Sequence, residues 1–176
     1  MNSATPGTSL YFAYGSNMCT GNLRQVAPSA TAIAVASLPK HELGFRKRSG
    51  PDDGGGSHPF ETGREESVLW GVVFRMTDQD LQALIRLEDD RYGYVPTPMR
   101  VFPRDSQQPV TALVFMARLA DLEDSLLPFD WYIRRVLEGA WQHDLPPEYI
   151  AKSIMAQPWV RDPDDTRRAE NIGLCC

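Results

Sequence analysis

A glutamate on the apolar face of a predicted helix is the first residue that could do chemistry. Leu81, Leu84 and Glu88 follow at i, i+3 and i+7, so they share one helix face, and Glu88 should point towards the core. An apolar setting raises the pKa of a carboxyl group towards neutrality, which suits a general acid or base. The alternative is a glutamate at a fraying helix end, paired with Arg86 or Arg91.

A second candidate is the turn after the first apolar segment. Residues 10–13 form an apolar and aromatic run typical of a buried strand, which ends in Tyr14-Gly15-Ser16-Asn17. Glycine permits a tight turn, and Ser16 or Asn17 could cap a short helix over residues 18–26. Such a turn leaves backbone N–H groups for an anion or a developing oxyanion. A plain strand-to-helix turn is the alternative.

The tetrapeptide Tyr14-Gly15-Ser16-Asn17, straight after an aromatic strand, resembles the γ-glutamylcyclotransferase family. Trp70-Gly71-Val72-Val73 resembles a strand of that family, and its catalytic glutamate follows at a spacing similar to that of Glu88. Gly93-Tyr94-Val95 is similar to a Tyr-Val strand of the family, and Tyr132 stands where the family has another tyrosine in its site. Residues 145–149 resemble a Leu-Pro-x-Glu-Tyr helix start.

Two segments depart from the family pattern. Residues 49–66 are a glycine-rich insertion, and Ile85-Arg86-Leu87 replaces the acidic residues usual before the glutamate. These departures bear on the identity of the substrate more than on the class of reaction.

The resemblance implies an enzyme that needs no nucleophile of its own. In a γ-glutamyl amide, the α-amine attacks the side-chain carbonyl, closes 5-oxoproline and expels an amine or amino acid. Glu88 would be the catalytic acid and base. Tyr14, Gly15, Ser16 and Asn17 would bind the glutamyl carboxylate or the oxyanion, and Tyr94 and Tyr132 would line the pocket and donate hydrogen bonds. We expect no metal or other cofactor.

The elements that must position these residues follow from apolar periodicity. Thr77 and Asp80 have capping-box spacing, and the helix after them should run to about Leu87 or Glu88. Gly71 in mid-strand indicates a bulge or a close approach. Asp130 is a plausible N-cap for an amphipathic helix, and another helix should reach about Ala156. The predicted strands cover residues 30–38, 41–47, 67–76, 92–102 and 110–117, the 92–102 strand being bent or at an edge because of Pro96 and Pro98.

This pattern predicts an α+β single domain with a mixed sheet. The resemblance implies that the sheet closes towards a small barrel with short surrounding helices. The domain should cover residues 8–160, with loosely ordered tails at 1–7 and 161–176. The terminal pair Cys175-Cys176 receives no function.

Residues 49–66 are too rich in glycine and polar side chains to predict a core element, so we expect a long loop. It is either a mobile lid or a surface insertion. As a lid, its acidic residues would favour a cationic leaving group such as a polyamine; they are Asp52, Asp53, Glu61, Glu65 and Glu66.

Bulk composition limits the classes of function. The chain has 176 residues, 42% of them hydrophobic and 23% charged, and a net charge of −5, which disfavours nucleic-acid binding. No apolar run is long enough for a membrane span, so we expect a cytoplasmic protein with a small-molecule γ-glutamyl substrate. Three cysteines build neither a disulfide framework nor a Cys-x-x-Cys metal pair. A homodimer stays open.

Two other functions compete. One is a hydrolase with Ser16 as nucleophile and His41, His58 or His143 as base, although a second glycine of a nucleophile elbow is missing. The other is a non-catalytic small-molecule-binding or interaction protein on the same fold. A binding protein has no need for an inward carboxylate, which favours the enzyme.

Overall fold

The computed structural model describes residues 7–48 and 54–172. The strands are β1 (Thr8–Ala13), β2 (Thr31–Pro39), β3 (His41–Arg48), β4 (Gly55–Glu61), β5 (Val68–Thr77), β6 (Tyr94–Pro103) and β7 (Val110–Ala117). The α-helices are α1 (Thr20–Arg24), α2 (Asp78–Tyr92), α3 (Asp130–Gln142), α4 (Pro147–Tyr149) and α5 (Asp165–Ile172). Short 3-10 turns cover Ser16–Met18 and Leu119–Asp121, and a π-helical segment, Ile150–Met155, continues α4.

Strands β1, β5, β2, β6 and β7 close, in that order, into a barrel. β1 runs antiparallel to β5, with Tyr11 opposite Phe74, and parallel to β7, with Tyr11 opposite Leu113. Phe12 and Phe74 are fully buried in the interior. The α+β fold with a sheet closed into a small barrel is therefore confirmed. In the described part of the chain, no helix is both long and apolar enough to cross a membrane.

Gly71 marks the close approach that its position in mid-strand predicts. A Cβ atom at this residue would lie 2.2 Å from the carbonyl oxygen of Ala13 and 2.8 Å from the ring of Phe12. Only glycine lets β5 pack this tightly against the end of β1, directly before the Tyr14–Asn17 turn.

The prolines of β6 lie where that strand has one neighbour. Pro96 and Pro98 pair with residues of β7, whereas β2 meets β6 only at Ala36 and Ser37. Proline has no backbone N–H group to donate to a neighbouring strand, and at both prolines β6 pairs with β7 alone. The predicted bent or edge character of this segment is therefore confirmed.

Helix α2 is longer than predicted. Its start is as expected, since the Thr77 side chain accepts a hydrogen bond from the Asp80 backbone N–H at 3.2 Å. The helix passes Glu88 and ends at Tyr92, where Gly93 adopts a left-handed conformation with φ of 68°. Glu88 therefore lies inside a regular helix, with Leu81 and Leu84 buried on the same face.

The prediction of a loop over residues 49–66 is wrong for its central part. Strand β4 pairs with β3 in a two-stranded sheet, and its Ser57 and His58 are buried. The glycines here serve close packing, because a Cβ at Gly55 would lie 2.0 Å from the carbonyl oxygen of Phe45. Residues 49–53 of the predicted loop lie outside the described residues.

The predicted loose attachment after Trp159 is wrong for residues 161–172. Asp162 is fully buried and accepts hydrogen bonds from Trp131 Nε1 at 2.8 Å and from Arg167 Nε at 2.6 Å. These bonds hold α5 against α3. Residues 1–6 and 173–176, which include Cys175 and Cys176, lie outside the described residues.

Asp130 is not the N-cap of α3. Phe129 occupies that position, and Asp130 is the first helical residue. Its carboxylate accepts a hydrogen bond from Arg168 Nε at 2.7 Å instead of capping its own helix. The side chain is therefore used for a long-range contact that also fastens α5.

We expect Gly71→Ala to lower the free energy of unfolding by at least about 2 kcal/mol, because the added methyl group meets a backbone atom that cannot turn away. Gly63→Asn is the control: Gly63 has a positive φ with open space around it, and asparagine tolerates that conformation. Urea denaturation measures both. A loss for Gly71→Ala no larger than that of the control would contradict the tight packing of β1 on β5.

Candidate active site

A cavity of about 560 Å³ opens beside the barrel, next to the turn that follows β1. Helices α2, α3 and α5 and strand β4 contribute to its walls. Every residue predicted for the site lines this cavity: Tyr14, Gly15, Ser16, Asn17, Glu88, Tyr94 and Tyr132. Residues up to 118 positions apart in the sequence, from Tyr14 to Tyr132, are thus brought to one place.

The turn does not use its side chains as a helix cap. Ser16 begins a 3-10 turn in which the Met18 N–H donates to the Gly15 carbonyl at 2.9 Å. The prediction of a cap by Ser16 or Asn17 is wrong, because Asn17 reaches across the cavity to α2. Within residues 7–48 and 54–172, no group accepts a hydrogen bond from the backbone N–H of Gly15, Ser16 or Asn17.

Asn17 connects this turn to Glu88. Its Nδ2 donates to Glu88 Oε1 at 2.8 Å and lies 3.2 Å from the hydroxyl of Tyr11. Its Oδ1 accepts from Asn22 Nδ2 at 3.2 Å, so the amide is held with its N–H groups towards the carboxyl group. Asn17 therefore fixes the position of Glu88.

The pKa of Glu88 is raised to about 7, chiefly because burial disfavours the ionised form. The hydrogen bond from Asn17 and the positive charge of Lys47 oppose this rise. Lys47 is a buried residue of β3, with Nζ 5.2 Å from the ring centre of Tyr94. In the described residues the partner of the Glu88 carboxyl group is Asn17, and neither Arg86 nor Arg91 forms an ion pair with it, so it is not the paired glutamate of the alternative interpretation.

The tyrosine hydroxyl groups of the cavity have different partners. Tyr14 donates to the carbonyl oxygen of Phe115, and Tyr94 donates to that of Ser57 at 2.6 Å. Burial raises the pKa of both phenols, so both keep their protons. The Tyr94 proton is thus used inside the protein, which differs from the expected hydrogen bond to a substrate. Tyr132 forms its contacts with the N–H and Oγ of Ser57.

Comparison with known proteins identifies the family to which this chain belongs. The AIG2-like family model matches residues 68–152. γ-Glutamylcyclotransferase of Bos taurus is 31% identical over 154 residues, which cover 85% of this chain and 79% of the relative. γ-Glutamylcyclotransferase of Homo sapiens is 30% identical over 154 residues, which again cover 85% of this chain and 79% of the relative. The chain belongs to the γ-glutamylcyclotransferase family.

A solved structure supports the assignment to this family. A γ-glutamyl cyclotransferase superposes with a TM-score of 0.78 at 26% identity and covers 93% of this chain and 98% of its own. The predicted family resemblance and the prediction of an enzyme of γ-glutamylcyclotransferase type are both confirmed.

Three residues that line the cavity were not predicted from the sequence. Tyr11 and Asn22 line the cavity and contact Asn17, and Ser57 lines it from β4. Tyr11 lay within the aromatic run already assigned to a strand, and alternation from Tyr11 could have placed it on one face. Ser57 carried no such signal, because it stands among glycines.

The charges at the cavity also differ from the predicted acidic lid. Arg91, Arg135 and Arg167 line it, together with Glu88 and Glu170. None of the three glutamates predicted for the acidic lid lines the cavity; they are Glu61, Glu65 and Glu66. Glu65 instead pairs with Lys40 at 2.7 Å. Asp52 and Asp53 lie outside the described residues.

The competing hydrolase has no catalytic pair in the part of the chain that is described. No histidine there hydrogen-bonds to Ser16: His143 Nε2 contacts the carbonyl oxygen of Met18 at 3.0 Å, and His58 lies within the β3–β4 sheet. Among the same residues, no group of three or more His, Cys, Asp or Glu side chains could hold a metal ion.

The raised pKa of Glu88 predicts a stability that depends on pH. Between the ordinary value of 4.5 and about 7, the folded protein binds the Glu88 proton more tightly than the unfolded chain does. Wild type therefore loses stability as the pH rises through this window. The glutamine of Glu88→Gln does not titrate, so its free energy of unfolding lacks this loss. We therefore expect the free energy of unfolding of Glu88→Gln, relative to that of wild type, to be about 1–3 kcal/mol higher at pH 8 than at pH 4.

Denaturation of both proteins at the two pH values measures this difference. Asp90→Asn, at an exposed position of the same helix, controls for the loss of one negative charge. Equal effects of Glu88→Gln at pH 4 and pH 8 would show that Glu88 is not buried as an acid with a raised pKa.

Proposed function

We propose that this protein cleaves γ-glutamyl amides by cyclisation, releasing 5-oxoproline and an amine or amino acid. The observation that carries the proposal is the Glu88 carboxyl group, held by Asn17 in the cavity with a pKa of about 7. Such a group is divided between its two protonation states near neutral pH, so it can both accept and donate a proton. Family membership supports the same class of reaction.

The substrate supplies the nucleophile. Glu88 accepts a proton from the α-ammonium group, and the α-nitrogen attacks the γ-carbonyl carbon to close a five-membered ring. The carbonyl electron pair moves onto oxygen and returns when the bond to the departing nitrogen breaks. In total, two protons leave the α-nitrogen and two arrive on the departing nitrogen. Glu88 carries them and ends the cycle as a carboxylate.

Orientation is the main contribution left to the protein. Holding the α-amine and the carbonyl in the reactive geometry can contribute several kcal/mol, roughly 7–11 in favourable intramolecular cases. The N–H groups of Gly15, Ser16 and Asn17 are available for the glutamyl carboxylate or the oxyanion. Tyr11 and Tyr14, both buried, contribute aromatic rings to the wall of the cavity.

The positive charge of Arg91 favours a leaving group that is anionic or neutral. Arg91 follows Glu88 by one helical turn, lines the cavity and lies with its guanidinium carbon 5.4 Å from the ring centre of Tyr92. A positive charge here attracts a carboxylate and repels an ammonium group. We therefore propose an amino acid or peptide as the leaving group, in place of the polyamine that the acidic-lid hypothesis suggested.

We expect purified protein to form 5-oxoproline from γ-glutamyl compounds, and Glu88→Gln to lower kcat by at least about 10³-fold, because the amide cannot accept a proton. Asp90→Asn should stay within about two-fold of wild type, since it removes a charge outside the cavity. Chromatographic detection of 5-oxoproline measures both. Absence of the product with every γ-glutamyl compound tested would leave the binding protein as the function.

The choice of leaving group is tested by two substrates that share the glutamyl half. We expect kcat/KM to be higher for a γ-glutamyl amino acid than for a γ-glutamyl polyamine. Arg91→Ala should lower it by about 5–20-fold for the amino acid compound alone, because that compound loses a charged hydrogen bond. Arg100→Ala, an exposed arginine of β6, is the matched control. A preference for the polyamine would refute the anionic leaving group.

A further inference from the structure

Ser57 joins separate walls of the cavity. Its backbone N–H donates to the hydroxyl oxygen of Tyr132 at 3.1 Å, and its Oγ lies 2.8 Å from the same oxygen. Its carbonyl oxygen accepts the hydrogen bond from Tyr94 at 2.6 Å. The residue is only 4% exposed. Ser57 therefore ties strand β4 to α3 and to β6.

The Ser57 side chain also lies against the turn after β1. A Cβ atom at Gly15 would lie 2.0 Å from Ser57 Oγ and 3.5 Å from the hydroxyl oxygen of Tyr132. The absence of a side chain at Gly15 thus makes room for these hydroxyl groups beside the turn. Two residues further on, Asn17 holds the Glu88 carboxyl group.

The hydroxyl groups of Ser57 and Tyr132 carry one more proton than their mutual hydrogen bond uses. Each hydroxyl group carries one proton, and the contact between the two oxygens uses only one of them. In the described residues, neither hydroxyl has another acceptor, and both residues line the cavity. One proton of the pair is therefore left to donate into the cavity, whichever oxygen carries it.

Tyr132 is the better placed of the two oxygens to present this proton. It already accepts a hydrogen bond from the Ser57 N–H, and when Ser57 Oγ also donates to it, its own proton has to point away from β4. Its ring is held by Phe45, at 6.4 Å between centres, and by Trp131, at 5.9 Å. Ser57 thus sets the direction in which Tyr132 donates.

We propose that the Ser57–Tyr132 hydroxyl pair stabilises the oxyanion formed from the γ-glutamyl carbonyl, with Tyr132 as donor and Ser57 as its positioning residue. This inference rests on the proposed cyclisation. Glu88 has to reach both nitrogens bonded to the reacting carbon, so the oxygen on that carbon points away from Glu88. The hydroxyl pair lies beside Gly15 and lines the same cavity as Glu88, so it can supply a donor to such an oxygen.

No covalent change occurs at the pair. When the ring closes, the carbonyl π electrons move onto oxygen and the hydrogen bond from Tyr132 strengthens. When the bond to the departing nitrogen breaks, the electrons return to form the carbonyl of 5-oxoproline. Both hydroxyl groups keep their protons throughout, and Glu88 alone exchanges protons with the substrate. The pair therefore lowers the barrier without raising substrate affinity.

The experiment is a double-mutant cycle with kcat and KM determined separately. We expect Tyr132→Phe to lower kcat about 100-fold and Ser57→Ala about 10-fold, both with little change in KM. Because Ser57 acts through Tyr132, adding Ser57→Ala to Tyr132→Phe should cause no further loss. Ser57→Ala keeps both backbone contacts to the tyrosines, and a thermal melt checks its fold; if it does not fold, Ser57→Cys, with a weak donor of similar size, replaces it.

Ser67→Ala is the matched control. Ser67 is equally buried, at 3% exposure, and its Oγ donates to Glu42 outside the cavity at 2.7 Å. We expect no change in kcat for this variant. A rise in KM with unchanged kcat, losses that multiply in the double variant, or a Ser57→Ala effect equal to that of Ser67→Ala would each overturn the inference. Failure of wild type to form 5-oxoproline would instead refute the proposed function itself.

Discussion

The hydrogen bond from Asn17 to Glu88 is the contact on which the rest of the site depends. It joins the turn after β1 to the middle of α2, across 71 positions of sequence. A buried carboxyl group without a partner would stay protonated, and one with a full ion pair would stay ionised. Burial raises the pKa of Glu88, the Asn17 hydrogen bond and the positive charge of Lys47 oppose that rise, and the pKa is about 7 as a result. Both ends need a rigid support, which Gly71 gives to β1 and the Thr77 cap gives to α2.

The barrel keeps most of its polar groups satisfied internally, so few are left for a ligand. Tyr14 and Tyr94 donate to backbone carbonyls, which fixes their rings as walls. Among the described residues that line the cavity, Gly15, Ser16 and Asn17 have backbone N–H groups without such partners, and the Ser57–Tyr132 pair has one hydroxyl proton without a partner. Such a site binds its ligand through a few hydrogen-bond donors that are held in place by rigid walls. Preorganised catalysis requires this arrangement.

The sequence was sufficient where the signal was local. Period-3.6 spacing placed Glu88 on the face of Leu81 and Leu84, and the Thr77–Asp80 spacing located the start of α2. It failed where contacts are long-range. The glycines of β4 are typical of a loop, and the packing of Gly55 against Phe45 cannot be seen in the sequence. The segment after Trp159 is polar, and its attachment depends on the hydrogen bond from Trp131 of α3 to Asp162. Asn17 was expected to cap a helix, because its partner on α2 cannot be seen locally.

The central claim is that Glu88 is a carboxyl group tuned to neutral pH inside the cavity. The most direct test is a ¹³C NMR titration of protein labelled at the glutamate side-chain carboxyl carbon, with the Glu88 signal assigned by its loss in Glu88→Gln. The account predicts a midpoint of about 7 for that signal. A midpoint near the ordinary value of 4.5 would contradict it, since Glu88 would then be a plain carboxylate at neutral pH.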